Sequence, residues 1–98
     1  MTFDECYEQF NLQMLPEHMQ GAVYRYLDRG ISMGSFGTAI MSNQLVESFN
    51  RADEINLDGM RAWVEWLYVF CPAGARGSAE KVRDWCASGG LNRREAGE

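Results

Sequence analysis

Two Gly-Ser steps, Gly34-Ser35 and Gly77-Ser78, stand where helices are expected to begin, and each has an arginine shortly before it, Arg29 for the first and Arg76 for the second. A helix start leaves backbone N–H groups without intrahelical acceptors. Together with a hydroxyl and a guanidinium, those donors make a phosphate site. Serine at a helix start is also an ordinary N-cap, glycine is tolerated beside it, and capping needs no ligand. Neither step is a Walker A loop, which requires Gly-Lys-Ser/Thr after a strand.

Between the two steps, Asn43 interrupts an apolar stripe formed by Phe36, Ile40 and Val46. A buried Asn on a helical interface fixes register at some cost in stability. The same amide, with its paired donor and acceptor, can read a base edge or a ribose hydroxyl. Asn50, Asp53 and Asn56 extend the polar line, with Arg51 beside it. Asp53 or Asn56 also suits the cap of the next helix, and for Asn56 capping is the simpler account. Tyr24, Tyr26, Trp63 and Trp66 carry rings able to stack on bases. At helical spacing, core packing is the commoner role for such rings. Trp66, opposite the Met60, Val64 and Leu67 stripe, is expected at an interface. His18, the sole histidine, falls in an exposed first helical turn. No cysteine has an evident base, and no paired carboxylates share a helix face in a specific motif, so binding ranks above catalysis.

These residues sit in a chain of 98 residues, 46% apolar and 12% aromatic, which argues for one small packed domain rather than a disordered one. A domain this short buries a modest share of its surface, so assembly into a homo-oligomer is expected. The formal charge of -5 is unevenly placed. Residues 1–17 hold Asp4, Glu5, Glu8 and Glu17 and no base, leaving ten acids against nine bases in the rest. Eight of those nine bases are Arg, the side chain suited to bidentate phosphate contacts, and Lys81 is the exception. A small phosphorylated ligand fits this balance. A nucleic-acid duplex does not, because it needs a broad basic surface. Cys6, Cys71 and Cys86 are odd in number and show no Cys-x-x-Cys spacing, which reads as reduced thiols without a structural metal or cofactor. No apolar run approaches the roughly 20 residues that cross a bilayer, and the acidic start lacks the basic region of a signal peptide. A cytoplasmic location without membrane contact follows.

The elements expected to position the candidate residues are helical throughout, and the fold class is all-α: a small helical-hairpin domain of about four helices. Residues 1–14 read as an acidic arm, with Phe3, Tyr7, Phe10 and Met14 at helical spacing, suited to docking on a partner surface. The helical domain spans 15–90. Its first helix starts at Pro16 and stops at Arg29-Gly30. The second starts on Ser35 as N-cap and runs to about Ala52. The third, near Leu57 to Cys71, is apolar at eleven of fifteen positions and so is buried on more than one side, most simply by a second subunit. Pro72 ends it, and Ser78 caps a last helix that stops at Gly89-Gly90. Residues 91–98 read as a disordered tail.

The run Leu15-Pro16-Glu17-His18-Met19, then Tyr26, Gly30, Gly34-Ser35-Phe36, Ser42-Asn43-x-Leu45, Ala52-Asp53-x-x-Asn56, Pro72 and Gly77-Ser78 with Trp85, resembles a family of small phage-encoded proteins. Among proteins of known role it is similar to the helical-hairpin immune-evasion sponges, the anti-CBASS and anti-Thoeris proteins, over about residues 15–88. The resemblance implies a helical oligomer that sequesters a cyclic nucleotide immune signal without cleaving it, in the cytoplasm of a bacterial host. It transfers no ligand contact residue by residue. One departure is Gly37, where related sequences favour a bulkier apolar residue; glycine there loosens the first turn of the second helix or makes space for a ligand.

The expected function is therefore that of a non-enzymatic sponge for a small anionic nucleotide, bound between subunits through Arg29, Gly34, Ser35, Phe36, Asn43, Arg51, Arg76 and Ser78. The alternative is a protein-interaction module that inhibits a host enzyme through the acidic arm and exposed aromatics. A helix-turn-helix regulator has least support, since the second helix offers only Arg51 as a recognition base.

Overall fold

Thr2 opens the first helix, α1 (Phe3–Gln9), through a capping box: its hydroxyl accepts the Glu5 N–H, and the Glu5 carboxylate accepts the Thr2 N–H. In this computed structural model residues 1–95 are described, with side chains through Asn92. A 3-10 turn, Leu12–Met14, leads to Pro16 and α2 (Glu17–Arg29), which ends on Gly30 in the left-handed region at φ 70. Then follow α3 (Ser35–Met41), α4 (Leu45–Arg51), α5 (Glu54–Asp58), α6 (Met60–Val69), a 3-10 turn at Ala73–Ala75, α7 (Ala79–Ser88) and α8 (Gly90–Glu95). No strand occurs among the described residues. α3 and α4 form a tight pair, α2 packs on α1 and α8, and α7 packs on α3, α8 and the Ala73–Ala75 turn.

The class is all-α as expected, but among the described residues eight helices stand where about four were expected, and local chemistry explains the break in the second. The second helix does not run to Ala52. It stops at Met41 because Asn43 takes the left-handed conformation, φ 62, which Asn tolerates better than most side chains. Asn43 N–H then bonds Ile40 O at 3.3 Å and Gln44 N–H bonds Ala39 O at 3.0 Å, closing a Schellman motif. The third helix begins earlier than expected and is split at Gly59. Asp53 is its cap, its carboxylate accepting the Asn56 N–H at 2.7 Å, so Asn56 is freed for another role.

That role lies in the core. Trp63, Trp66 and Trp85 are all buried, and each indole N–H has an acceptor: Asn56 Oδ1 at 3.1 Å, the Phe10 carbonyl at 2.6 Å and the Tyr26 carbonyl at 2.8 Å. Tyr26 completes the set by donating its hydroxyl to the Ala75 carbonyl at 2.6 Å. A buried ring with a polar edge must find such a partner, and these bonds fix which helices meet. Trp66 is thus not an interface residue: it is fully buried beneath the segment that ends α1. The acidic arm also packs on its own chain. Cys6 and Phe10 are buried, Phe3 sets its ring edge-on to Tyr24, and the Met1 ammonium reaches Asp28 at 3.2 Å. Burial pushes the Cys6 thiol up to about 11, as expected of a packed, unreactive cysteine.

The expected disordered tail is also revised. Residues 90–95 are helical and Leu91 packs against the core, while 96–98 lie outside the described residues. Gly37 leaves no space for a ligand, because a Cβ there would fall 2.5 Å from Met33 Cε and 2.7 Å from Met33 Cβ. Met33 already fills the gap.

Candidate functional site

The Asn43 turn has a second consequence, for it brings the α3 end against the loop before α7. Gly77, at φ 121, donates its N–H to the Met41 carbonyl at 2.8 Å, and that bond sets Arg76 beside Asn43. Between them is a hollow lined by Ile40, Met41, Asn43, Leu67, Tyr68, Arg76 and Gly77. A second hollow shares Ile40, Asn43, Leu67 and Tyr68 and extends to Leu45, Ser48 and Val64. They measure about 330 and 360 Å³ including their open mouths.

The charge of this region is one-sided. The Arg76 guanidinium lies 5.1 Å from the Tyr68 ring centroid, a cation–π contact, and its buried Nε has no hydrogen-bond partner. Lys81 stands alongside: a Cβ on Gly77 would be 3.8 Å from its Nζ. Neither cation joins an ion pair among the described residues. The nearby Cys71 thiol supplies no counter-charge, because burial pushes it up to about 12 although Arg76 pulls the other way. Arg76, the Asn43 amide and Tyr68, which is 75% exposed, therefore meet at an open hollow, with Lys81 beside its Gly77 edge.

Of the residues expected to bind ligand, Asn43 and Arg76 meet here. Ser78 stands next to Gly77 but its hydroxyl is engaged as the α7 cap, accepting the Lys81 N–H at 3.1 Å. Gly34 and Ser35 belong to a separate surface. Gly34, not Ser35, is the N-cap of α3, and no side chain caps that short helix. Phe36 is a core residue, edge-on to Trp63 at 5.4 Å. Arg29 lies over Tyr24 and against Asp28, and Arg51 pairs with Glu47 one turn earlier on α4. The arginines at 29 and 51 are partnered where they stand. Tyr68 and Lys81 were not evident as site residues, since the packing of α6 and of the loop before α7 against the end of α3 brings them near Asn43.

A polar cluster elsewhere was also hidden in sequence. His18 Nε2 lies 3.0 Å from Asp53 Oδ2 and 3.5 Å from Asn56 Nδ2, so the start of α2 is tied to the α5 cap and, through Asn56, to Trp63. None of His18, Asp53 and Asn56 lines either hollow. The Asn56 N–H, and then the His18 ring, hold the Asp53 carboxyl below the usual carboxylate range. The folded chain therefore binds this proton less readily than the unfolded chain. The stabilisation is present above the unfolded carboxylate value of about 3.9 and is lost as pH falls through the lower folded one. Thermal melts of Asp53→Asn should show a shallower loss of Tm below about pH 4 than the parent chain. Superimposable pH profiles would contradict the capping role.

Among the described residues no helix is long and apolar enough to cross a membrane, and no three His, Cys, Asp or Glu side chains are grouped to hold a metal ion. Compared with known proteins, the chain matches no family model, and it is similar to no curated protein and to no solved structure.

Proposed function

We propose that this chain binds a small anionic nucleotide in the Asn43–Tyr68–Arg76 hollow and holds it without turnover. The observation that carries the reading is Arg76, a guanidinium without an acidic partner among the described residues, laid over an exposed Tyr68 ring and beside the Asn43 amide. Arg76 and Lys81 suit phosphate oxygens, where charge-assisted bonds are the strong ones. Tyr68 has a free ring surface for a base, and Asn43 offers both donor and acceptor to a base edge or ribose. The resemblance to phage immune-evasion sponges narrows the ligand to a cyclic nucleotide signal, sequestered by an oligomer in the host cytoplasm.

Calorimetry against a panel of cyclic di- and trinucleotides and cyclic ADP-ribose isomers tests the reading. At least one member is expected to bind, and Arg76→Ala is expected to weaken it at least about tenfold, the loss of one charge-assisted contact. Neither heat nor thermal shift from any member would overturn it.

The second reading, an inhibitor of a host protein, draws its support from a different observation. With α1 packed on its own chain, the surface left for it is the outward side of α4, where Leu45, Val46 and Phe49 are exposed.

A further inference from the structure

Helix α4 is inverted relative to an ordinary surface helix. Its apolar residues Leu45, Val46 and Phe49 are 64%, 73% and 47% exposed, while the residue it buries is Ser48, whose hydroxyl donates to the Gln44 carbonyl at 2.6 Å. An amphipathic helix in a lone domain turns its apolar side inward. The exposed side continues across the second hollow, where Leu45 and Val64 share the lining with Tyr68. On α6 it runs through Val64, Tyr68 and Val69, all exposed. A contiguous apolar surface of this kind marks an association face.

The charges on this face indicate what covers it. On α4, Glu47 precedes Arg51 by four residues, the favourable order along a helix, and the two pair at 3.1 Å. On α6 the order is reversed: Arg61 precedes Glu65, both are exposed, and they form no ion pair among the described residues. One cation and one anion a helical turn apart are self-complementary under a two-fold axis. When two such helices run antiparallel, each Arg61 faces Glu65 of the partner subunit.

We propose that the outward face of α4 and α6 seats a second copy of this chain, with the α6 helices antiparallel and Arg61 paired to Glu65 of the partner subunit. The association closes the hollow. A small-ligand site encloses most of its ligand, and the nucleotide hollow of one copy is open; it shares Tyr68 with the second hollow, whose Leu45, Val64 and Tyr68 lining belongs to the covered face. That closure rests on the nucleotide reading; the self-association does not.

Sedimentation of the ligand-free chain and five variants separates the possibilities. The parent is expected to be a dimer at micromolar concentration, and Phe49→Glu a folded monomer. Arg61→Glu and Glu65→Arg, both at exposed positions, each set like charges opposite one another and should raise the dimer Kd at least about tenfold. The Arg61→Glu/Glu65→Arg double variant restores complementarity and should recover most of the loss. Arg76→Ala should stay dimeric while losing nucleotide, so a failed ligand reading and a failed dimer are told apart. A parent that stays monomeric overturns the proposal and leaves the face to a different protein. A dimer indifferent to all three charge variants overturns the antiparallel arrangement.

Discussion

Gly90→Ala is expected to destabilise the chain by about 3 kcal/mol or more, a large part of the roughly 5–15 kcal/mol that holds a domain folded. Two independent costs meet at this position. Its φ is 71, in the left-handed region that side chains with a Cβ rarely adopt. A Cβ would also fall 2.7 Å from both the Gly30 nitrogen and the Leu27 carbonyl oxygen, and 2.9 Å from the Arg29 nitrogen. Those are backbone atoms at the end of α2, so no side chain can swing aside. Urea unfolding measures the effect, with Gly34→Ala as the control: φ there is -64 and nothing lies within 4 Å of the added Cβ. A Gly90→Ala variant as stable as that control would show that α8 does not cross α2 this closely.

Gly90 also shows what a sequence can and cannot disclose. Gly89-Gly90 is legible as a helix stop, and Gly89 does end α7 in the left-handed conformation. The reason for the second glycine is a close backbone approach to residues sixty positions earlier in the chain. No local spacing encodes that approach.

Trp66→Ala carries an expected effect of similar size, about 3–5 kcal/mol, the usual cost of removing a large buried ring. Trp66 is fully buried, and its indole N–H bonds the Phe10 carbonyl at 2.6 Å. Trp66→Phe retains most of the packing but strands that carbonyl, and should cost about 1–3 kcal/mol. Both losses belong to the single chain, so the midpoint shift should be the same at low and high protein concentration. A shift that vanished on dilution would instead return Trp66 to an interface between subunits.

The same residue marks why part of the fold escaped the sequence. Helical periodicity correctly gave α2, the Gly30 stop and the Ser78 cap of α7, because each depends on residues within one or two turns. It misassigned Trp66, because the third helix is apolar nearly all round and periodicity alone cannot tell a side covered by the chain's own α1 from one covered by another copy. The Asn43 break was hidden for a related reason. The residues on either side of it read as one amphipathic stripe, and only the left-handed turn shows that the stripe divides, with Phe36 and Ile40 going into the core and Leu45, Val46 and Phe49 facing out. For the candidate site, Asn43 and Arg76 stood out by type. Their meeting follows the Gly77–Met41 hydrogen bond, and Tyr68 joins them through the packing of α6 beside α3, contacts between segments far apart in sequence.

The most direct test of the nucleotide reading is a map of the ligand on the chain, by backbone amide shifts recorded on titration with the tightest member of the cyclic nucleotide panel. The expected result is saturable movement at Asn43, Tyr68, Arg76 and Gly77, abolished in Arg76→Ala, with Arg29, Gly34 and Ser35 unmoved. Movement centred on Arg29 and the start of α3, or no saturable movement at the hollow, would contradict it.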